Sequence, residues 1–331
     1  SVGKSTLVAA TAAAVAATGA WLFFSKTSST TNDSNKQAPA KRFYIFGSPV
    51  GKSPSPLMHN TGFKICGLPH SYAAEETVDP ERVKELVQRK DFGGASVTIP
   101  LKEKLFHLVT ERSDAVKAIG ALNTLIPQPN GRLLADNTDW KGILLPLKPL
   151  LLHRDDEKKG VNKVGRGIGI VIGAGGTARA AVYALKQLGY DGENLLICNP
   201  RTPEKAAKLA NEFGCSSIED VKSVVSRSLA VSVLVCTLPP KARYVAPDEI
   251  LAQKPVVFEA IYLPPVTPLA TKAEAAGCKV VKGLDMLIAQ GVEQFELWTK
   301  TPKSKVTEGI TKATREMYQK TYLDPLLRKI R

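Results

Sequence analysis

The stretch "GIGIVIGAGGTARAAVYALKQLG", residues 167 to 189, limits what the chain can fold into more than any other. An apolar run of strand length meets a glycine turn, and an Ala-rich segment of helical length then ends at a glycine. Gly173, Gly175 and Ala178 satisfy G-x-G-x-x-[GA]. Such glycines allow a tight bend and a close backbone approach to a pyrophosphate, which can sit on the amides of the helix N-terminus. Gly173, Ala174, Gly175, Gly176, Thr177 and Ala178 are therefore the expected cofactor turn. A purely structural turn has the same glycines, so the motif gains its weight from the strand before it and the helix after it.

At the end of the next strand, "NLLIC", a chain that binds NAD is expected to carry an acidic residue for the ribose hydroxyls. This chain has Asn199, Pro200, Arg201 and Thr202 there. A guanidinium suits a 2'-phosphate, so NADP is expected in preference to NAD, while Lys205 reads as a solvated helix lysine. Three more apolar runs follow, in "LAVSVLVCTLPP", "KPVVFEAIYLPPVTPL" and "GCKVVKG". Strands alternating with helical segments predict an α/β fold with a Rossmann-type, doubly wound parallel sheet. Ligands bind at the C-terminal edge of such sheets, which puts Thr237 and Leu238 near the cofactor and Tyr262 near its nicotinamide end.

With 331 residues the chain has room for a second domain ahead of this one. In "RFYIFGSPVGKSPSPLMHNTGF", Ser53 and Ser55 place two hydroxyls on alternate positions of one loop, able to donate to a carboxylate. "FGGASVTIPLKEKL" reads as a strand ending at Thr98, with Lys102 just beyond it. "IGALNTLIPQPNGRLLADNTDWKG" carries Asn123 and Asp139 in two polar loops on either side of a hairpin turn. Short polar side chains of this kind serve turns, or else they form the wall of a pocket for a polyhydroxylated ligand.

Charge narrows the partners only slightly. The 45 Lys and Arg against 31 Asp and Glu give +14, which attracts anions of every class. Without zinc-ligand spacings, an aromatic RNA-binding signature or a basic block interleaved with aromatics, nucleic acid is not an expected partner. Five scattered cysteines with no C-x-x-C pair predict neither disulfides nor a zinc site, and point to a reduced, cytoplasmic compartment. No metal is expected. Residues 7–24 are uncharged and reach the lower length of a membrane span, but Ala and Thr dominate them, so the expectation is against an anchor. Residues 25–40 have the composition of a disordered linker. The opening "SVGKST" has the end of a phosphate-binding loop without its first glycine, and is not counted as a nucleotide site.

In order along the chain stand S-x-S, V-T-x-P-x-K, G-x-x-N-T, D-N-T-D-x-x-G and G-A-G-G-x-[AR]-[AR]-A. From about Lys41 to the C-terminal helices this pattern resembles the shikimate dehydrogenase family. The wording "GASVTIPLK" and "LPHSY" is most similar to its fungal members, among them the last domain of the pentafunctional shikimate-pathway polypeptide. The resemblance implies reversible, NADP-dependent reduction of 3-dehydroshikimate to shikimate. It further implies that Ser53 and Ser55 bind the substrate carboxylate, that Thr98, Asn123 and Asp139 hold ring hydroxyls, and that Lys102 and Asp139 are the catalytic pair. Tyr262 and Gln290 match family positions facing the substrate, and Gly283 opens the segment that passes the cofactor. Lys102 would donate a proton to the carbonyl oxygen in reduction and accept one in oxidation.

The resemblance also implies a layout. Residues 1–40 are a leader or linker, 41–145 a substrate-binding and catalytic domain, 146–166 a connection, 167–288 the NADP-binding domain, and 289–331 helices returning to the first domain. Departures from the family pattern are Lys52, where His is frequent, Ser96, where Asn is common, and the loop "CTLPP". Two rivals stay open: a quinate or dual quinate/shikimate dehydrogenase, and a non-catalytic homologue that senses the metabolites. Monomer and homodimer are both compatible with the family.

Overall fold

The computed structural model describes residues 39–152, 167–227 and 230–330. The apolar run at 7–24, the linker up to residue 38 and residues 153–166 of the expected connection lie outside the described residues. No helix among the described residues is long and apolar enough to cross a membrane.

Two six-stranded sheets organise the described residues. The first contains β1 (Arg42–Gly47), β2 (Ser71–Glu76), β3 (Phe92–Val97), β4 (Glu111–Arg112), β5 (Thr124–Pro127) and β6 (Leu133–Asp136), in the order β2-β1-β3-β5-β6-β4. β1 runs parallel to β2 and β3, whereas β5 is antiparallel to β3 and β6. Side chains on β1 alternate between two apolar clusters, as the period of a strand requires. Phe43 and Ile45 join Met58 and Phe63 of helix α1 (Ser55–Ile65), and Tyr44 and Phe46 join Val83 and Leu86 of α2 (Pro80–Val87). Helix α3 (Asp114–Ile119) leads into the loop that starts β5.

The hairpin β5–β6 delivers the chain to α4 (Asp139–Leu151). This helix continues through Pro146 and Pro149. A proline inside a helix costs about 3 kcal/mol. Burial of Ile143, Leu147 and Leu151 against the second sheet's core offsets that cost at about 1.5–3 kcal/mol per side chain.

The second sheet is wholly parallel and has the order β12-β11-β10-β7-β8-β9. Its parts in chain order are β7 (Ile168–Ile172), α5 (Gly176–Gln187), β8 (Gly192–Cys198), α6 (Pro203–Phe213), β9 (Cys215–Ser217), β10 (Val231–Cys236), α7 (Asp248–Leu251), β11 (Val256–Glu259), α8 (Pro268–Ala275) and β12 (Val280–Lys282). This is the doubly wound order expected from the alternating apolar runs, and its direction reverses between β7 and β10, where a crevice opens. Parallel strands covered by helices on both faces need apolar side chains on both. Accordingly, Ile168, Ile170 and Ile172 of β7 face one cluster while Val171 faces the other. Ala178, Ala180, Ala181 and Ala184 on α5 are wholly buried and let that helix lie close to the sheet.

One long helix, α9 (Gly283–Thr299), starts at the end of β12 and reaches the first sheet. A Cβ on Gly142 of α4 would stand 2.9 Å from the Met286 carbonyl oxygen, so the two helices touch backbone to backbone there. Further along, Phe295 packs on Phe63 with ring centroids 5.4 Å apart. The chain ends in α10 (Thr307–Tyr318) and α11 (Asp324–Ile330).

Candidate active site

Lys102 lies past the end of β3 and Asp139 is the first residue of α4. Their side chains form a buried ion pair, Lys102 being 8% exposed and Asp139 4%. The surrounding loop explains why Asp139 stays in place. Asn137 Nδ2 donates to the Ala121 carbonyl (2.8 Å), and the Asp139 backbone N–H donates back to Asn137 Oδ1 (2.9 Å). Asn123 Oδ1 accepts the Thr138 backbone N–H (2.7 Å), leaving Asn123 Nδ2 to donate to Asp139 Oδ1 (2.8 Å). Gln290 Oε1, on α9, lies 3.2 Å from both Asn123 Nδ2 and Thr138 Oγ1. The two Asn-Thr pairs of the sequence are therefore one bonded unit with Asp139 at its edge.

A second polar group lines the same cleft. The Ser53 hydroxyl donates to Ser55 Oγ (3.1 Å) and accepts the Ser55 backbone N–H (3.2 Å). Tyr262, in the loop after β11, hydrogen-bonds Ser53, and burial pushes its phenol above the ordinary tyrosine range against that bond's opposite effect. Tyr318 donates to the Tyr262 carbonyl, and Tyr322 donates to the Lys52 carbonyl (2.8 Å). Both mouth loops are thus tied to the C-terminal helices. Ser53, Ser55, Thr98, Lys102, Asn123, Asp139, Tyr262 and Gln290 all line this cleft, about 810 Å³ in volume. That size holds a small polyol together with part of a larger ligand.

Facing them is the glycine turn. Gly173 has φ 124°, and a Cβ there would run into the Thr237 hydroxyl, which itself donates to the Ile172 carbonyl (2.9 Å). At Gly175 the backbone is ordinary, φ −95°, and a Cβ would meet nothing within 4 Å. No side chain caps the start of α5, so its first amides are available to an anion. Gly176 packs on Lys102, whose Cβ would be 3.3 Å from an added methyl, and Lys102 Nζ is 3.5 Å from Thr177 Oγ1. Thr177, Thr237, Leu238 and Gly283 line the cleft, while Ala174 flanks the turn and Ala178 is sealed between helix and sheet. At Gly283 an added Cβ would lie 2.5 Å from the Ala260 carbonyl oxygen, which explains the glycine by close packing. Past β8, Asn199 Nδ2 donates to Thr202 Oγ1 (2.7 Å), and Arg201 is exposed with no partner among the described residues.

Gln294, Glu293 and the two C-terminal tyrosines are the residues that reading the sequence misses. Gln294 is four positions after Gln290, hence on the same helical face, and that spacing is its one sequence signal. Glu293 is 3% exposed and pairs with Lys141 of α4 (2.6 Å) and with Lys303. Burial alone would raise its carboxyl, but the two lysines prevail and hold it below the ordinary range. No group of three or more His, Cys, Asp or Glu with the disposition of a metal site occurs among the described residues.

Comparison with known proteins bears on this geometry. Residues 45–125 match the shikimate dehydrogenase substrate binding domain, and residues 283–302 the shikimate 5'-dehydrogenase C-terminal domain. Residues 167–258 match a family described as NADP oxidoreductase, coenzyme F420-dependent. The pentafunctional AROM polypeptide of Kluyveromyces lactis is 41% identical over 293 residues, which span 82% of this chain and 18% of that protein. The chain thus spans about a fifth of the length of the curated relatives it matches. Among solved structures, shikimate 5-dehydrogenase from Thermus thermophilus, in complex with NADP(H) and shikimate, is 32% identical with a TM-score of 0.65, covering 82% of this chain and 99% of that one. The dehydroquinate dehydratase and shikimate dehydrogenase part of S. pombe AroM is 33% identical, also with a TM-score of 0.65, covering 82% and 53%.

Proposed function

The chain belongs to the shikimate dehydrogenase family, and on that premise we propose that it interconverts 3-dehydroshikimate and shikimate with NADP, using Lys102 and Asp139 as its acid–base pair. The observation that carries the reading is the buried Lys102–Asp139 ion pair, set against the uncapped glycine turn. The turn suits a dinucleotide: open space stands where a Gly175 Cβ would be, and free amides begin α5. Gly173 to Thr177, Thr237 and Leu238 would hold NADP, with Arg201 on the 2'-phosphate. When bound, NADP supplies the hydride acceptor or donor.

The chain's own residues supply the rest. An alkoxide free in water is too basic to form readily, so the alcohol oxygen needs a group that takes or gives its proton. Lys102 Nζ does this, giving a proton to the carbonyl oxygen in reduction and receiving one from the hydroxyl in oxidation. Asp139 holds the Lys102 amine within reach of that oxygen, so an alcohol at the wrong ring position misses the lysine. Ser53 and Ser55 donate to the carboxylate, and Thr98, Gln290 and Tyr262 complete the ring's surroundings. Gly176 packs on the Lys102 stem at Cβ and Cδ and so helps to hold the side chain in place.

The test is the purified chain mixed with shikimate or quinate and with NADP or NAD, followed by nicotinamide absorbance. Turnover is expected with shikimate and NADP above the other three pairs. A preference for quinate would reassign the substrate, and shikimate binding without turnover under any pairing would make the chain a metabolite sensor.

A further inference from the structure

Gln294 lies wholly buried on α9, and each of its polar atoms has a partner. Its Oε1 accepts from Ser96 Oγ (2.7 Å), which in turn accepts from the Tyr72 hydroxyl (2.6 Å). Its Nε2 donates to the Asn123 carbonyl (3.1 Å) and to Thr124 Oγ1 (3.0 Å). A hydroxyl has one hydrogen, and Thr124 gives its own to Asn123 Oδ1 (2.6 Å). Thr124 must therefore accept from Gln294. Asn123 Oδ1, taking Thr124 O–H and Thr138 N–H, has both lone pairs engaged, which turns its Nδ2 toward Asp139. The donors run in one sense, from Tyr72 through Ser96, Gln294, Thr124 and Asn123 to Asp139.

We propose that Gln294 is a positioning residue for the acid–base pair: through Thr124 it fixes the amide of Asn123 in the one orientation that aims a donor at Asp139. It bonds to neither member of the pair. The device also accounts for Ser96, because the short hydroxyl leaves space for the glutamine and supplies the donor that orients it. Networks of this kind rigidify a site when every member is satisfied, and every link here is. The role rests on the reading of Lys102 and Asp139 as the catalytic pair.

Gln294→Met keeps the side chain's length and removes its donors and acceptor, and Thr124→Val removes the relay hydroxyl. In the full chain, with folding checked by thermal melting, each is expected to lower kcat by about tenfold or more while KM for shikimate and NADP stays within about threefold. Thr124→Ser, which restores the hydroxyl, should recover about half of the wild-type kcat or more. Gln294→Met added to Asp139→Asn should cost less than about twofold further, because the carboxylate it positions is gone. If Gln294→Met does not fold, the Thr124 variants decide. Folded variants with wild-type kcat, losses that multiply in the double variant, or a rise in KM alone would each overturn the role. An Asp139→Asn variant as active as wild type would instead remove the acid–base reading, and the positioning role with it.

Discussion

The first-sheet wall of the cleft presents side chains already bonded to one another, whereas the second-sheet wall presents backbone from which side chains have been withheld. On the first, Lys102, Asp139, Asn123, Thr138 and Gln290 are buried or nearly so and hold each other in place. On the second, Gly175 faces open space and the amides of α5 have no cap. The first wall is a finished constellation, which suits the proton transfer proposed for it, since a misplaced group loses its catalytic effect. The second is open, which suits the cofactor proposed for it, since an anion site at a helix N-terminus needs uncapped amides. Substitutions on the first wall should therefore act on the rate of chemistry, and those on the second on cofactor affinity.

Lys102→Ala is the largest expected break in that division. Its kcat should fall about 100- to 10,000-fold, the usual contribution of a general acid or base. Arg201→Ala comes next, on the other wall. Losing a charge-assisted hydrogen bond of about 1.5–3 kcal/mol should raise KM for NADP about 10- to 100-fold and leave NAD nearly unaffected, as parallel titrations of the two cofactors would show. Gly175→Ala sharpens the comparison, because at φ −95° with no atom within 4 Å the methyl is tolerated by the fold. Melting should be unchanged while KM for NADP rises about tenfold, and an unchanged KM would mean that no ligand approaches there.

The last effect is on stability rather than turnover, and concerns what stands behind the first wall. His59 is stacked on Tyr72, with ring centroids 4.4 Å apart, and burial lowers its imidazole from 6.5 to about 3. The unfolded chain takes up a proton as pH falls below 6.5, and the folded chain does not until about 3. Stability is therefore full above 6.5 and is lost through that window, by up to about 1.4 kcal/mol per pH unit. His59→Phe should flatten the fall of Tm between pH 6.5 and 4 relative to wild type, and an unaltered slope would place the titrating group elsewhere.

The two walls also differ in how far the sequence discloses them. Gly173 is legible because few residues can replace glycine at its φ of 124°, Gly175 because it completes the spacing of the motif, and the strands of the second sheet because apolar runs of that length are buried on both faces. Lys102 and Asp139 stand 37 positions apart and become a pair only through the loop bonds of Asn137 and Asn123. Their partnership came from the order of motifs, with no local signal of its own. Gln294 is not legible because a glutamine in a helix is ordinary until its partners, Ser96 and Thr124, arrive from a different sheet region. Tyr318 and Tyr322 escape notice for the same reason, their acceptors being 56 and 270 positions away. Helix α4 passes Pro146 because its packing outweighs propensity, which no local rule reveals.

Separating binding from chemistry in one variant tests the division of labour most directly. NADPH binding to Lys102→Ala should be titrated by nicotinamide fluorescence, and hydride transfer to 3-dehydroshikimate then followed in a single turnover. An NADPH Kd within about twofold of wild type is expected, with transfer slowed by about 100-fold or more. Transfer at the wild-type rate, or a Kd weakened in step with it, would contradict the assignment of chemistry to one wall and cofactor affinity to the other.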